Sequence, residues 1–121
     1  MKAWPFKLKE LSQVPAKSFQ GMKVKSLIAK SETKKIVAYH IRIPKNHRIP
    51  HSHHKIAYEI IFILSGKGTA YLNNRRFPVK SKDVIFIRPG TWHSFSSDHK
   101  VLEALAVLSP RVDEKTDLYH K

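Results

Sequence analysis

The chain has 121 residues, 41% of them apolar and 10% aromatic, and its 23 lysines and arginines stand against 9 aspartates and glutamates for a net charge of +14. That describes one domain with a modest core rather than a disordered tail. Cysteine is absent, which excludes a disulfide frame, a thiolate metal site and a cysteine nucleophile.

No apolar run approaches the ~20 residues of a membrane-spanning helix. The first seven residues, Met1 to Lys7, hold no apolar stretch of signal-peptide length. With no cysteine either, the expected compartment is the cytoplasm. The positive charge admits three readings: a lysine-rich surface kept for solubility, an anionic small substrate steered by the field, or a nucleic acid. The lysines are spread from Lys2 to Lys121 rather than gathered in a block. Nucleic acid therefore rests on charge alone and is not the expected partner.

Residues 1–35 read as an arm and first strands of the same domain. Pro5 and Pro15 punctuate the arm, and Trp4, Phe6, Leu8 and Leu11 are placed to cover a sheet edge. Gly21 opens a strand-like run from Met22 to Ala29, and Ser31 to Lys34 forms a turn. Residues 36–110 then carry the regular pattern. In Ile36 to Ile43 the residues Val37, Tyr39, Ile41 and Ile43 share one face, the expected core side. Glu59 to Leu64 is a strand apolar on both faces, ended by Ser65-Gly66. Thr69 to Leu72 pairs back with Arg75 to Val79 through Asn73-Asn74, residues that tolerate the left-handed backbone of a tight hairpin. Val84 to Ile87 is a buried strand ended by Pro89-Gly90, Trp92 to Ser96 is a short one, and Val101 to Leu108 is the last long one. Residues 111–121 form a charged tail, a short helix or loose. Seven to nine strands at spacings near ten residues, with no convincing helix, predict an all-β sandwich or barrel.

The chemistry gathers at His51-Ser52-His53-His54, with Glu59 five residues on. Imidazole and carboxylate together form the usual ligand set for zinc, iron, manganese, nickel or copper. In an extended segment His51 and His53 point the same way, ~6–7 Å apart. Glu59 shares a strand face with Ile61 and Ile63, and a carboxylate in such surroundings needs a compensating cation or strong hydrogen bonds. His93 follows the Pro89-Gly90 turn and begins a strand between aromatics, which suits a remote fourth ligand.

These residues resemble the two motifs of the cupin superfamily. His51-Ser52-His53, Glu59 and, six residues later, Gly66 match the first motif; Gly90, two residues and His93 match the second. The likeness spans about residues 36–108. It departs at Lys45 and Lys82, where the motif glycines would fall, and at Ser97, where an asparagine is usual. Five residues separate His53 from Glu59, one more than the pattern allows. Counting back four instead selects His54, with Ser52 as its partner, so His54 stays open as a substitute.

The resemblance implies a small single-domain cupin, a double-stranded β-helix or jelly-roll barrel. It implies one divalent metal ion (Mn, Fe, Ni, Zn or Cu) held by His51, His53, Glu59 and His93. The expected ligand is a small oxygen-rich molecule, such as a carboxylate or sugar acid. As an enzyme it would be a dioxygenase, isomerase, lyase or decarboxylase; the alternative is a sugar-binding or sensing module without turnover. An apolar sheet face in so small a domain also predicts a homodimer.

Overall fold

The period-two patterning of the long strands decides which side chains turn inward. The computed structural model describes residues 5–111 and the backbone of a strand at 118–120. Two antiparallel sheets form the sandwich. One holds β1 (Ala16–Phe19), β2 (Met22–Ser26), β3 (Val37–Ile43), β5 (Tyr58–Ser65), β8 (Val84–Ile87) and β10 (Leu102–Ser109), in the order β1-β2-β3-β10-β5-β8. The other holds β4 (Ser52–His54), β6 (Lys67–Leu72), β7 (Arg75–Lys80), β9 (His93–Ser97) and β11 (Leu118–His120), in the order β11-β4-β9-β6-β7. The only helical element among the described residues is one 3-10 turn at Leu11–Gln13.

This is the all-β jelly-roll the sequence predicts, with eleven strands among the described residues rather than seven to nine. Two of the additional strands lie in the arm and the tail. β1 pairs with β2 through Gln20-Gly21, both at positive φ (53° and 82°), which is the backbone of a tight two-residue turn. The arm thereby extends the sheet past the edge of β3 as a hairpin. In the tail, residues 118–120 pair antiparallel with β4, so a strand stands where a helix or loose segment was expected.

On β3 and β5 the inward set is the expected one. Val37 and Ile43 on β3 are buried, and Tyr39 and Ile41 between them pack against the core. Leu102, Ala104, Ala106 and Leu108 on β10 are buried, as are Ile61 and Ile63 beside Glu59 on β5. The outward set of β5 is a different matter: Tyr58, Ile60, Phe62 and Leu64 are exposed, and so are Val84 and Phe86 on the neighbouring edge strand β8.

Three of the four positions that the family pattern reserves for glycine show how the turns are built. Gly66 has φ +89°, and a Cβ there would lie 2.3 Å from the Val101 carbonyl oxygen, so glycine is required. Asn46 takes φ 53° next to Lys45, and Lys82 itself takes φ 78°. Both turns are therefore built, without glycine, in the left-handed region. At the other end of the pattern Ser97 receives the His47 amide at 3.0 Å and donates its hydroxyl to the Pro44 carbonyl. It ties the loop before β4 to β9.

Candidate metal centre and ligand cavity

The site forms where the two sheets close on each other. β4 and β9 pair through Ser52 and His93, and the Gly90 amide donates to the His54 carbonyl at 2.7 Å. Glu59 comes from the opposite sheet, at the start of β5, pointing inward with Ile61 and Ile63. Alternation along β4 turns Ser52 and His54 towards the interior and His53 away from it.

The structure therefore groups His54, Glu59 and His93, whose ligand atoms all lie within 4.8 Å of one another. The Glu59 Oε1 is 3.4 Å from His93 Nε2 and 3.6 Å from His54 Nε2. The two imidazoles stack, with centroids 5.7 Å apart and planes 22° apart. Of the four residues named from the sequence, Glu59 and His93 are in the group. His51 and His53 lie outside it, and His54 takes the third place. The His53 ring packs edge-on against Trp92, centroids 4.4 Å apart. The His51 Nε2 is 3.4 Å from the Arg48 guanidinium, which in turn sits 3.8 Å over the Tyr71 ring.

His93 is held in one tautomer. Its Nδ1–H donates to the Thr91 carbonyl at 3.1 Å, which leaves the Nε2 lone pair facing Glu59. Burial pulls its pKa down from 6.5 to about 4; the Thr91 bond opposes this, and the neighbouring imidazoles of His54, His53 and His51 add to it. At neutral pH it is an uncharged donor. The turn before it is clamped by Asn73, which donates its amide to the Trp92 carbonyl at 2.7 Å and accepts the Trp92 amide on its side chain at 3.1 Å. That role escapes a reading of the sequence, where Asn73 is visible only as a hairpin residue with a tolerance for φ 55°.

The three residues stand at the inner end of a cavity of about 500 Å³. Sequence reasoning places a pocket here but not its extent. The cavity runs across the inner face of the six-stranded sheet to the β1–β2 hairpin, where Pro15, Lys17 and Ser18 line it beside Pro110 and Arg111.

Residues 34–110 match the model of the AraC-like ligand-binding domain family. The chain belongs to this family. An uncharacterised protein of Aquifex aeolicus is 27% identical over 112 residues, covering 92% of this chain and 90% of that protein. Among solved structures, a variant of Streptomyces Pac13 with uridine superposes with a TM-score of 0.80 at 15% identity, over 96% of this chain and 92% of the other. A predicted oxalate decarboxylase of Thermotoga maritima gives 0.79 at 23% identity, over 86% and 99%. The cupin domain of Schizosaccharomyces pombe Cnp3 gives 0.73 at 20% identity, over 84% and 72%. At these identities the likeness establishes the cupin fold.

Proposed function

We propose that the chain is a metal-dependent small-ligand-binding domain. His54, Glu59 and His93 hold one divalent ion, and the ion's remaining positions take an oxygen donor of the ligand. One observation carries this reading. A neutral imidazole lone pair and a buried carboxylate oxygen face each other at 3.4 Å, with a second imidazole nitrogen 3.6 Å from the same oxygen. A lone pair and a carboxylate oxygen turned on one another repel, and a cation between them removes that repulsion.

Two histidines and one carboxylate suit an ion that prefers nitrogen and oxygen ligands, and leave coordination positions open. A bound ion would supply Lewis acidity and an anchoring point for oxygen. The protein's own part is orientation: Thr91 fixes the His93 tautomer and Asn73 fixes the turn that aims it. Ser52, buried two residues before His54, occupies the place at which the family pattern would set a further imidazole. Family membership supports ligand capture as the activity.

The test is metal content of the purified protein, measured by plasma mass spectrometry. We expect near one equivalent in the wild type, a loss of tenfold or more in His54→Ala and His93→Ala, and no loss in His51→Ala or His53→Ala. Equal metal in all five proteins would sink the assignment.

The exposed face of β5 and β8 supports a second copy of the chain as partner. Tyr58, Ile60, Phe62, Leu64, Val84 and Phe86 are 39–55% exposed and adjoin through the register Ile60–Phe86 and Phe62–Val84. None of these six positions is a lysine or arginine, and the guanidinium of Arg88, 5.1 Å over the Phe86 ring, is a charge at the margin of the face that a second copy would have to accommodate.

A further inference from the structure

The walls of the cavity say what kind of molecule fits it. From Glu59 on β5 to Lys17 on β1 the sheet order crosses β10, β3 and β2, four strand spacings or roughly 19 Å along the sheet. The inward row next to Glu59 is Ile61, Ala106, Tyr39 and Ser26 in register; the row after it is Ile63, Ala104, Ile41 and Val24. Along this path the Tyr39 hydroxyl and the Ser26 hydroxyl are the only polar side-chain groups those two rows present. The cavity holds on the order of fifteen water volumes at ~30 Å³ each.

A sugar carries a hydroxyl on nearly every carbon, and each must keep a hydrogen-bond partner when it leaves water. This wall offers two hydroxyls over its length, and Ser52, Ser18 and Gln20 stand at the two ends of the cavity rather than along it. An aromatic ring or alkyl chain needs none and gains by displacing water from the same surface.

The polar end sets the other requirement. This step rests on the metal reading given above. Two neutral imidazoles and one carboxylate leave a divalent ion with one uncompensated positive charge in an apolar interior. A single mono-anionic oxygen head neutralises it; a neutral head leaves the charge bare. Lys17 and Arg111 at the far end, on a chain of +14, favour the approach of an anion.

We propose that the occupant of this cavity is a hydrophobic monocarboxylic acid, with an aryl or medium-chain body lying against β10 and β3 and its carboxylate at His54, Glu59 and His93. The sugar acid expected from the sequence does not meet the wall's chemistry.

Two probes with the same head and different bodies separate the alternatives: 3-phenylpropionate and galacturonate, titrated calorimetrically into zinc-loaded protein of measured metal content. We expect 3-phenylpropionate to bind at least tenfold more tightly. Ile41→Gln should weaken it by about tenfold while leaving the zinc content unchanged. Val24→Thr, nearly isosteric and safer for folding, should weaken it in the same direction by a smaller factor. Galacturonate binding as tightly, or neither acid binding the zinc-loaded protein, overturns the ligand class. Equal binding of 3-phenylpropionate to metal-free protein overturns the placement of its carboxylate. Absence of zinc from the wild type after loading overturns the metal reading instead, and that result is read independently of either probe.

Discussion

Acid should destabilise the metal-free protein through His93 in particular. In the unfolded chain its imidazole takes up a proton as pH falls through the ordinary 6.5; in the folded protein it stays neutral until about 4. A group whose folded pKa is depressed contributes fully above the unfolded value and loses that contribution as pH falls. The window is therefore pH 6.5 down to 4, with a plateau below. At ~1.4 kcal/mol per pH unit the whole gap is about 3 kcal/mol, a large share of the ~5–15 kcal/mol that holds a domain of this size together. The side chain is only 8% exposed, so solvent screening takes little from this figure. The assay is urea unfolding in a chelator at pH 7, 6, 5 and 4, for wild type and for His93→Gln, which cannot titrate. Protonation of carboxylates away from residue 93 is common to both proteins and cancels in the difference, and running both proteins as Glu59→Gln removes the carboxylate in contact with it. The wild type should lose about 3 kcal/mol more than the variant across the window, with equal m-values. Parallel pH profiles would show that burial does not hold this imidazole neutral.

Two further outcomes follow from the turns and the outer face. Lys82→Gly removes a side chain from an exposed position at φ 78° while keeping the backbone bond from its amide to the Ile63 carbonyl; it should stabilise by about 1 kcal/mol and raise Tm by about 4 °C. An unchanged or lowered Tm would show that the turn stores no such strain. Ile60→Lys combined with Phe86→Lys places two charges on the apolar face and should convert a dimer to a monomer by light scattering at micromolar concentration. A wild type that is already monomeric there would remove the second copy as the partner.

The fold was legible because β3 announces itself by alternation and β5 and β10 by apolar runs of strand length, and period two then sets which alternate residues are buried together. Val37, Tyr39, Ile41 and Ile43 illustrate it, as do Leu102 to Leu108. What alternation cannot reveal is pairing that depends on backbone alone. The segment Ala16–Phe19 has no clear periodicity, and its strand is made by the Gln20-Gly21 turn and by β2 waiting beside it. The tail strand at 118–120 likewise exists because β4 offers an unpaired edge. His47 shows the same limit. A histidine in a polar loop reads as solvent-facing, yet its ring lies so close to Gly21 that a Cβ there would come within 2.4 Å of Nε2, and that nitrogen donates to the Gln20 carbonyl at 3.1 Å.

The candidate site was legible in composition but turned on a single register. In a strand a shift of one residue exchanges the two faces entirely. His51 and His53 make one face of β4; Ser52 and His54 make the other. The ligand types, the remote His93 and the buried Glu59 all follow from residue chemistry, which is indifferent to that shift. What decides it is where β4 is pinned. Ser52 pairs with His93 on β9, and the Gly90 amide reaches the His54 carbonyl, so both anchors belong to the turn that carries His93. With Lys55, Ile56 and Ala57 looping out before β5, no extra residue need be absorbed between His54 and Glu59. The spacing of four from His54 to Glu59 is then the one the pattern allows, and the site has two imidazoles because the inward position before His54 holds a serine. The outward imidazoles still act on the site through space, since His51 and His53 both help to hold His93 neutral.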